Sequence, residues 1–115
     1  MTAVQQKMPL GEQLVHAGLL MDVQLELAKR ENCWIKVCGS ERISPPPYAA
    51  AVPIARALVE AIPDRVLWGT DFPHPNLKHE ADEADLVDLI PQFAVTAEAQ
   101  RKLLIDNPAR LYGFV

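Results

Sequence analysis

Only two cysteines, Cys33 and Cys38, occur in the 115 residues. Five positions apart on an apolar stretch, they fall on opposite faces of an extended segment, so no disulfide between them is expected. They read as two buried free thiols of a reducing compartment, and the expected location is the cytoplasm. Basic residues are outnumbered, 11 Lys and Arg against 15 Asp and Glu, for a net charge of −4. Without a basic stripe, neither nucleic acid nor an anionic membrane is an expected partner. No apolar run approaches the roughly 20 residues that span a bilayer. The first seven residues, Met1 to Lys7, are polar and lack the apolar core of a signal peptide. Internal repeats and low-complexity tracts are absent as well.

What the chain does have is a high apolar content. Half of its residues are hydrophobic, enough to build a core and to exclude general disorder. The length allows one domain at most. Residues 1–10 read as a loose arm and residues 11–115 as the folded part. From Glu12 to Arg30 the spacing is helical, with Leu14, Met21, Leu25 and Ala28 on one face. Leu20, Val23 and Leu27 widen that stripe, as in a helix covered on two sides. Cys33 to Cys38 is a strand by composition. Ser44-Pro45-Pro46-Pro47-Tyr48 is a stiff loop; a proline-recognition ligand is its weaker reading. Ala49 to Ile62 is a helix with Pro53 in its first turn, and Val66 to Trp68 is a second strand. Strand, crossover helix and strand make a βαβ unit with parallel strands, too apolar to face water on either side. Leu77 to Asp82 is a polar connector. Glu83 to Ile90 is helical and is broken by Pro91. Thr96 is placed to cap a helix over Ala97 to Ile105, and Asn107 to cap a last short one with Pro108 in its first position.

Chemistry concentrates in Arg65-Val66-Leu67-Trp68-Gly69-Thr70-Asp71-Phe72-Pro73-His74-Pro75-Asn76. An apolar strand delivers a carboxylate, an imidazole and an amide onto a segment stiffened by two prolines. The carboxyl ends of strands are where α/β proteins bind ligands. The plain structural reading of Asp71 is a turn or cap aspartate, that of His74 a histidine holding the loop, and that of Arg42 a surface charge. Lys36 is either solvated or aimed at an anionic substrate. His16 reads as structural and His79 as solvated. The acids Glu80, Asp82, Glu83 and Asp85 suit a helix start, where negative charge is favourable, and a metal site is their minor reading.

Trp68-Gly69-Thr70-Asp71-Phe72-Pro73-His74-Pro75 resembles the last barrel strand of the amidohydrolase superfamily. More closely, it resembles the branch of hydrolases similar to 2-pyrone-4,6-dicarboxylate lactonase. Three further segments agree in order: Trp34 to Arg42 with the preceding barrel strand and its loop, Pro46 to Pro53 with the next helix start, and Asp106 to Phe114 with the closing helix. The likeness covers about residues 30–115 and implies an α/β fold. That fold is a partial (β/α)₈ TIM barrel, its last two βα units with an extra N-terminal helix. A full barrel runs to roughly 250 residues, so the chain corresponds to the C-terminal quarter to third. The family's opening His-x-His strand has no counterpart in it.

The resemblance also implies roles. Asp71 matches the family's base, which takes a proton from the hydrolytic water and passes it to the leaving group. Such a carboxylate works well where burial lifts its pKa, and apolar surroundings are expected for Asp71. Arg42 matches an arginine that contacts a substrate carboxylate, suited by its fork. Asn76 and His74 match positions near the substrate pocket. Most family members hold one or two divalent metals such as Zn. The lactonase branch is understood to need none, so no cofactor is expected. The implied activity is hydrolysis of a small carboxylated lactone such as 2-pyrone-4,6-dicarboxylate. The competing reading is an inactive fragment serving as a structural or self-associating module. Two open strand edges would then be covered by a second copy or a complementary half-barrel.

Overall fold

The computed structural model describes residues 22–75, 77 and 80–114. The expected arm over residues 1–10, the first half of the first helix, His16, Asn76 and His79 lie outside them. The described chain is α/β. It opens with helix α1 (Asp22–Lys29) and strand β1 (Ile35–Val37), followed by α2 (Ser40–Ile43), α3 (Ala51–Ala61) and β2 (Val66–Trp68). Helices α4 (Glu83–Val87), α5 (Ile90–Phe93) and α6 (Ala97–Arg101) come next. A π-helical turn (Lys102–Asp106) then leads into α7 (Asn107–Tyr112).

The two strands pair in parallel, with Ile35 opposite Val66, Lys36 opposite Leu67 and Val37 opposite Trp68. This is the βαβ unit expected from the order of apolar runs, with α3 as its crossover. Val37 and Val66 turn into the core, where they meet Ala55, Val59 and Ile62 of the crossover region and Phe93, Ala94 and Leu103 from the C-terminal helices. Phe93 and Leu103 are each 1% exposed, and full burial of side chains this size is worth about 1.5–3 kcal/mol apiece. Lys36 is the exception to an apolar strand: it is exposed, on the face opposite Ile35 and Val37.

Two polar side chains fasten the helices to the sheet. Arg65, just ahead of β2, donates to the carbonyls of Ala28 (3.0 Å) and Cys33 (2.6 Å), and also to that of Arg30. The last carbonyls of a helix have no partner within it and carry the negative end of its dipole. A guanidinium is suited to both needs, and it ties α1 to β2. Asn107 is fully buried and donates its amide to the carbonyls of Pro63 and Val66, at 2.8 Å each. Ile35 N–H bonds to Arg65 O, and Gly69 N–H to Val37 O. Residues 65 and 69 of β2 thus face β1, and by alternation Val66 O points to the outer edge. Asn107 covers that edge carbonyl.

Several expectations are corrected. Asn107 is not a cap: Asp106 and Asn107 both have helical backbone, and the chain runs without a break from Thr96 through the π turn into α7. Its side chain is taken by β2 instead. Thr96 does cap α6, accepting from Ala99 N–H at 3.1 Å. Pro91 does not end the preceding helix, which stops at Val87; it sits in the first turn of α5, where a missing N–H costs nothing. The thiols are free, as expected, but neither is buried: Cys33 is half-buried and Cys38 exposed. Leu27 is 43% exposed, so the wide stripe of α1 is not covered on both sides among the described residues.

Asn107 yields a test. In Asn107→Ala the Pro63 and Val66 carbonyls lose their donor inside the core, which should cost about 1–3 kcal/mol. The urea midpoint should fall with an unchanged slope.

Candidate active site

Gly39 begins the first wall of the site. It turns the chain at the end of β1 with φ 77°, and a 2.9 Å bond from Arg42 N–H to Gly39 O closes the turn. The left-handed region is open to glycine and costs other residues about 1–2 kcal/mol. The turn launches α2, whose neighbouring residues Glu41 and Arg42 diverge. Glu41 goes inward and its side chain is fully buried, whereas Arg42 stays 41% exposed at the rim.

The second wall is the loop after β2. Asp71 and His74 hold φ of 66° and 58°, and the Phe72–Pro73 peptide is cis. His74 N–H bonds to Asp71 O at 2.7 Å, and Phe72 N–H bonds to Thr70 Oγ1 at 3.3 Å. Asp and His tolerate the left-handed region better than most residues. Two such residues within four positions are the kind of backbone strain that collects at functional sites.

The walls meet through side chains. Arg42 Nε donates to Asp71 Oδ2 at 3.0 Å, and Arg42 Nη2 to Pro75 O at 2.6 Å. With Asp71 32% exposed, the pair adds at most about 1 kcal/mol to stability. Its consequence is placement of a carboxylate and a guanidinium together at the carboxyl end of β2. The expected apolar surroundings of Asp71 are not what the fold provides: Arg42 and solvent are its neighbours. Lys36 lies across Gly69 at the same end, where a methyl group on Gly69 would stand 2.7 Å from Lys36 Cε.

His74 is only 9% exposed, and each ring nitrogen meets a carboxylate: Nδ1 faces Glu41 Oε1 at 3.0 Å and Nε2 faces Glu83 Oε1 at 2.5 Å. The bonds to Glu41 and then to Glu83 raise its pKa above the ordinary imidazole value, against a smaller opposing effect of burial. Its edge also meets the Phe72 ring, with centroids 6.3 Å apart. Nearby, Tyr48 is buried beneath the proline loop at φ 63°. Burial, and then the charge of Asp85, push its phenol pKa up. Glu41 Oε2 and the Tyr48 hydroxyl have no hydrogen-bond partner among the described residues.

The fold therefore brings the Arg42 and Asp71 side chains together and links His74 to Asp71 through the backbone, with its ring turned to Glu41 and Glu83, while Asn76 lies outside the described residues. The parts that sequence reasoning missed are Glu41 and Glu83. Glu83 reads locally as an acid of a helix start, a need already met by Asp82, whose carboxylate accepts from Ala84 N–H at 2.8 Å. A glutamate free of capping duty near a proline-flanked histidine was the available signal. Among the described residues no group of three or more His, Cys, Asp and Glu side chains could hold a metal ion. A cation, the Arg42 guanidinium, already sits on Asp71, and the donors around His74 lie on opposite sides of its ring. The described residues do not fit a metal.

The carboxylate–guanidinium pair lies at the carboxyl ends of the parallel strands, where open α/β sheets bind ligands. Residues 13–114 match the family model described as "Amidohydrolase", and the chain belongs to the amidohydrolase family. It is 52% identical over 97 residues, 75% of its length, to a 2-pyrone-4,6-dicarboxylate hydrolase of Comamonas testosteroni. It is 43% identical over 96 residues to a 4-sulfomuconolactone hydrolase of Hydrogenophaga intermedia, covering 79% of this chain. A D-galactarolactone isomerase of Agrobacterium fabrum is 31% identical over 100 residues, 83% of this chain. The chain spans about a third of these relatives, 32%, 32% and 34% of their lengths. No helix among the described residues is long and apolar enough to cross a membrane.

The turn at Gly39 gives a second test. Gly39→Ala forces a side chain into the left-handed region, 3.5 Å from Arg42 Cδ. The expected cost is about 1–2 kcal/mol, read as a thermal midpoint several degrees lower.

Proposed function

We propose that this chain is the C-terminal part of a lactone-hydrolysing enzyme, with β1 and β2 as the last two strands of a (β/α)₈ barrel. The observation that carries the reading is the Arg42–Asp71 pair, built from a short helix and a loop at the carboxyl ends of adjacent parallel strands. The similar proteins support the substrate class. Their names share a lactone ring, and two of the three state an anionic substituent, a carboxylate or a sulfonate. Arg42 would take that anionic group through its fork, with Lys36 adding positive charge at the same rim. Asn76 would contact the same substrate by resemblance, and His74 would serve the site from behind the loop.

Asp71 would act as the base. Its carboxylate would accept a proton from water as the water oxygen bonds to the lactone carbonyl carbon. The ring C–O bond would then break, and the same proton would pass to the leaving oxygen. Substrate binding would draw Arg42 toward the incoming anion and free Asp71 for that exchange. No strand among the described residues pairs with the outer edges of β1 or β2. Strands from the rest of the barrel, a second copy or a complementary half-barrel would cover them.

Titration of the chain with 2-pyrone-4,6-dicarboxylate, followed by calorimetry, tests the reading. Arg42→Ala should weaken binding about tenfold or more, since a charged hydrogen bond is worth about 1.5–3 kcal/mol. Asp71→Asn keeps a residue that tolerates the left-handed backbone, so binding should survive. Turnover, followed by loss of the pyrone absorbance, should drop about 10²–10⁴-fold. Binding indifferent to Arg42→Ala would overturn the assignment.

A further inference from the structure

We propose that Glu41 and Glu83 are positioning residues of this site: they clamp His74 as an imidazolium, and release of its proton loosens the loop that holds the Arg42–Asp71 pair. The geometry carries the inference. Carboxylate oxygens face both ring nitrogens, at 3.0 and 2.5 Å. A neutral imidazole has one N–H and one lone pair, and only the doubly protonated ring donates in both directions. Glu41 is fully buried and one of its oxygens has no partner among the described residues, so it depends on a cation at the other. Arg42, the next residue in α2, is turned away to Asp71 and Pro75, which leaves His74 as that cation among the described residues.

The clamp reaches the reactive pair through the backbone. Glu41 adjoins Arg42, and His74 N–H bonds to Asp71 O. One grip thus sets the spacing of both walls, and it holds Asp71 and His74 in their left-handed conformations. Among the described residues, the titratable groups facing His74 are Glu41 of α2 and Glu83 of α4. The next charges are Asp82 and Asp85, which with Glu41 act on the buried Tyr48 phenol. All are acids or a phenol, and none competes with His74 as a cation.

The direction of the pH dependence follows. The folded-state pKa of His74 is raised, by the bond to Glu41 first and the bond to Glu83 second. The clamp is therefore complete below the ordinary imidazole value of about 6.5. It is lost as pH rises through the higher folded value.

The test uses the ¹⁵N-labelled full chain, with the ring nitrogens of His74 and the Nε–H of Arg42 observed by NMR. Glu83→Gln is the chosen variant because Glu83 is 45% exposed and its replacement spares the core. At neutral pH both His74 nitrogens should carry protons, and the Arg42 Nε–H should be protected from exchange until His74 titrates. In Glu83→Gln both events should move together to lower pH. A neutral His74 tautomer at pH 7, with the shared proton on Glu41, would overturn the proposal. So would an Arg42 signal indifferent to Glu83→Gln. The bearing on turnover rests on the hydrolase reading: kcat/KM would fall over the same pH range, and earlier in the variant. Absence of turnover beside an intact NMR response counts against the hydrolase and leaves the clamp standing.

Discussion

Two neighbouring residues of one short helix, Glu41 and Arg42, hold the rim of this protein together by reaching for different partners. Glu41 is drawn into the interior by His74 and Arg42 is held at the surface by Asp71. The Arg42–Asp71 contact alone is modest, since an exposed ion pair contributes at most about 1 kcal/mol; the Glu41–His74 contact is buried. Made from adjacent positions to two residues of one loop, they fix both its distance and its orientation. The positive φ of Asp71 and His74 persists because that grip outweighs local preference.

Behind the rim, the sheet works as a rigid base. Two three-residue strands would be marginal alone, and their stability comes from what is attached to them. Arg65 gathers the end of α1, Asn107 closes an outer carbonyl of β2, and Phe93 and Leu103 fill the space beneath. The π turn between α6 and α7 lies just before Asn107. Such turns insert an extra residue and shift the phase of a helix. Here the shift accompanies the delivery of the Asn107 amide to the strand. The family model matches residues 13–114, so this base and the rim above it both lie within the amidohydrolase family's own pattern.

Much of the architecture was legible from the residues. The strand Val66–Trp68, the crossover helix behind Pro53, the cap at Thr96 and the parallel pairing all follow from periodicity, capping chemistry and the right length of crossover. These signals are local, or nearly so. Where local reading failed, a distant partner had changed a residue's task. Asn107 has a good capping side chain, yet Val66 O claimed it across 41 residues. Pro91 reads as a stop and instead opens α5. Asp71 looked buried because an apolar strand precedes it. It is paired and partly wet because Arg42, 29 positions earlier, turns back to meet it.

The sequence by itself determined the order of the two strands and their crossover helix, the family and the candidacy of Arg42, Asp71, His74 and Asn76, because motif and periodicity are properties of neighbours in the chain. The tertiary structure alone decided that Glu41 is buried, that His74 stands between two glutamates, and that Arg42 meets Asp71 rather than water. A glutamate in a four-residue helix and another in a helix start carry no local mark of a shared histidine. Only folding, which brings positions 41, 74 and 83 within hydrogen-bond reach, gives their charges something to recognise.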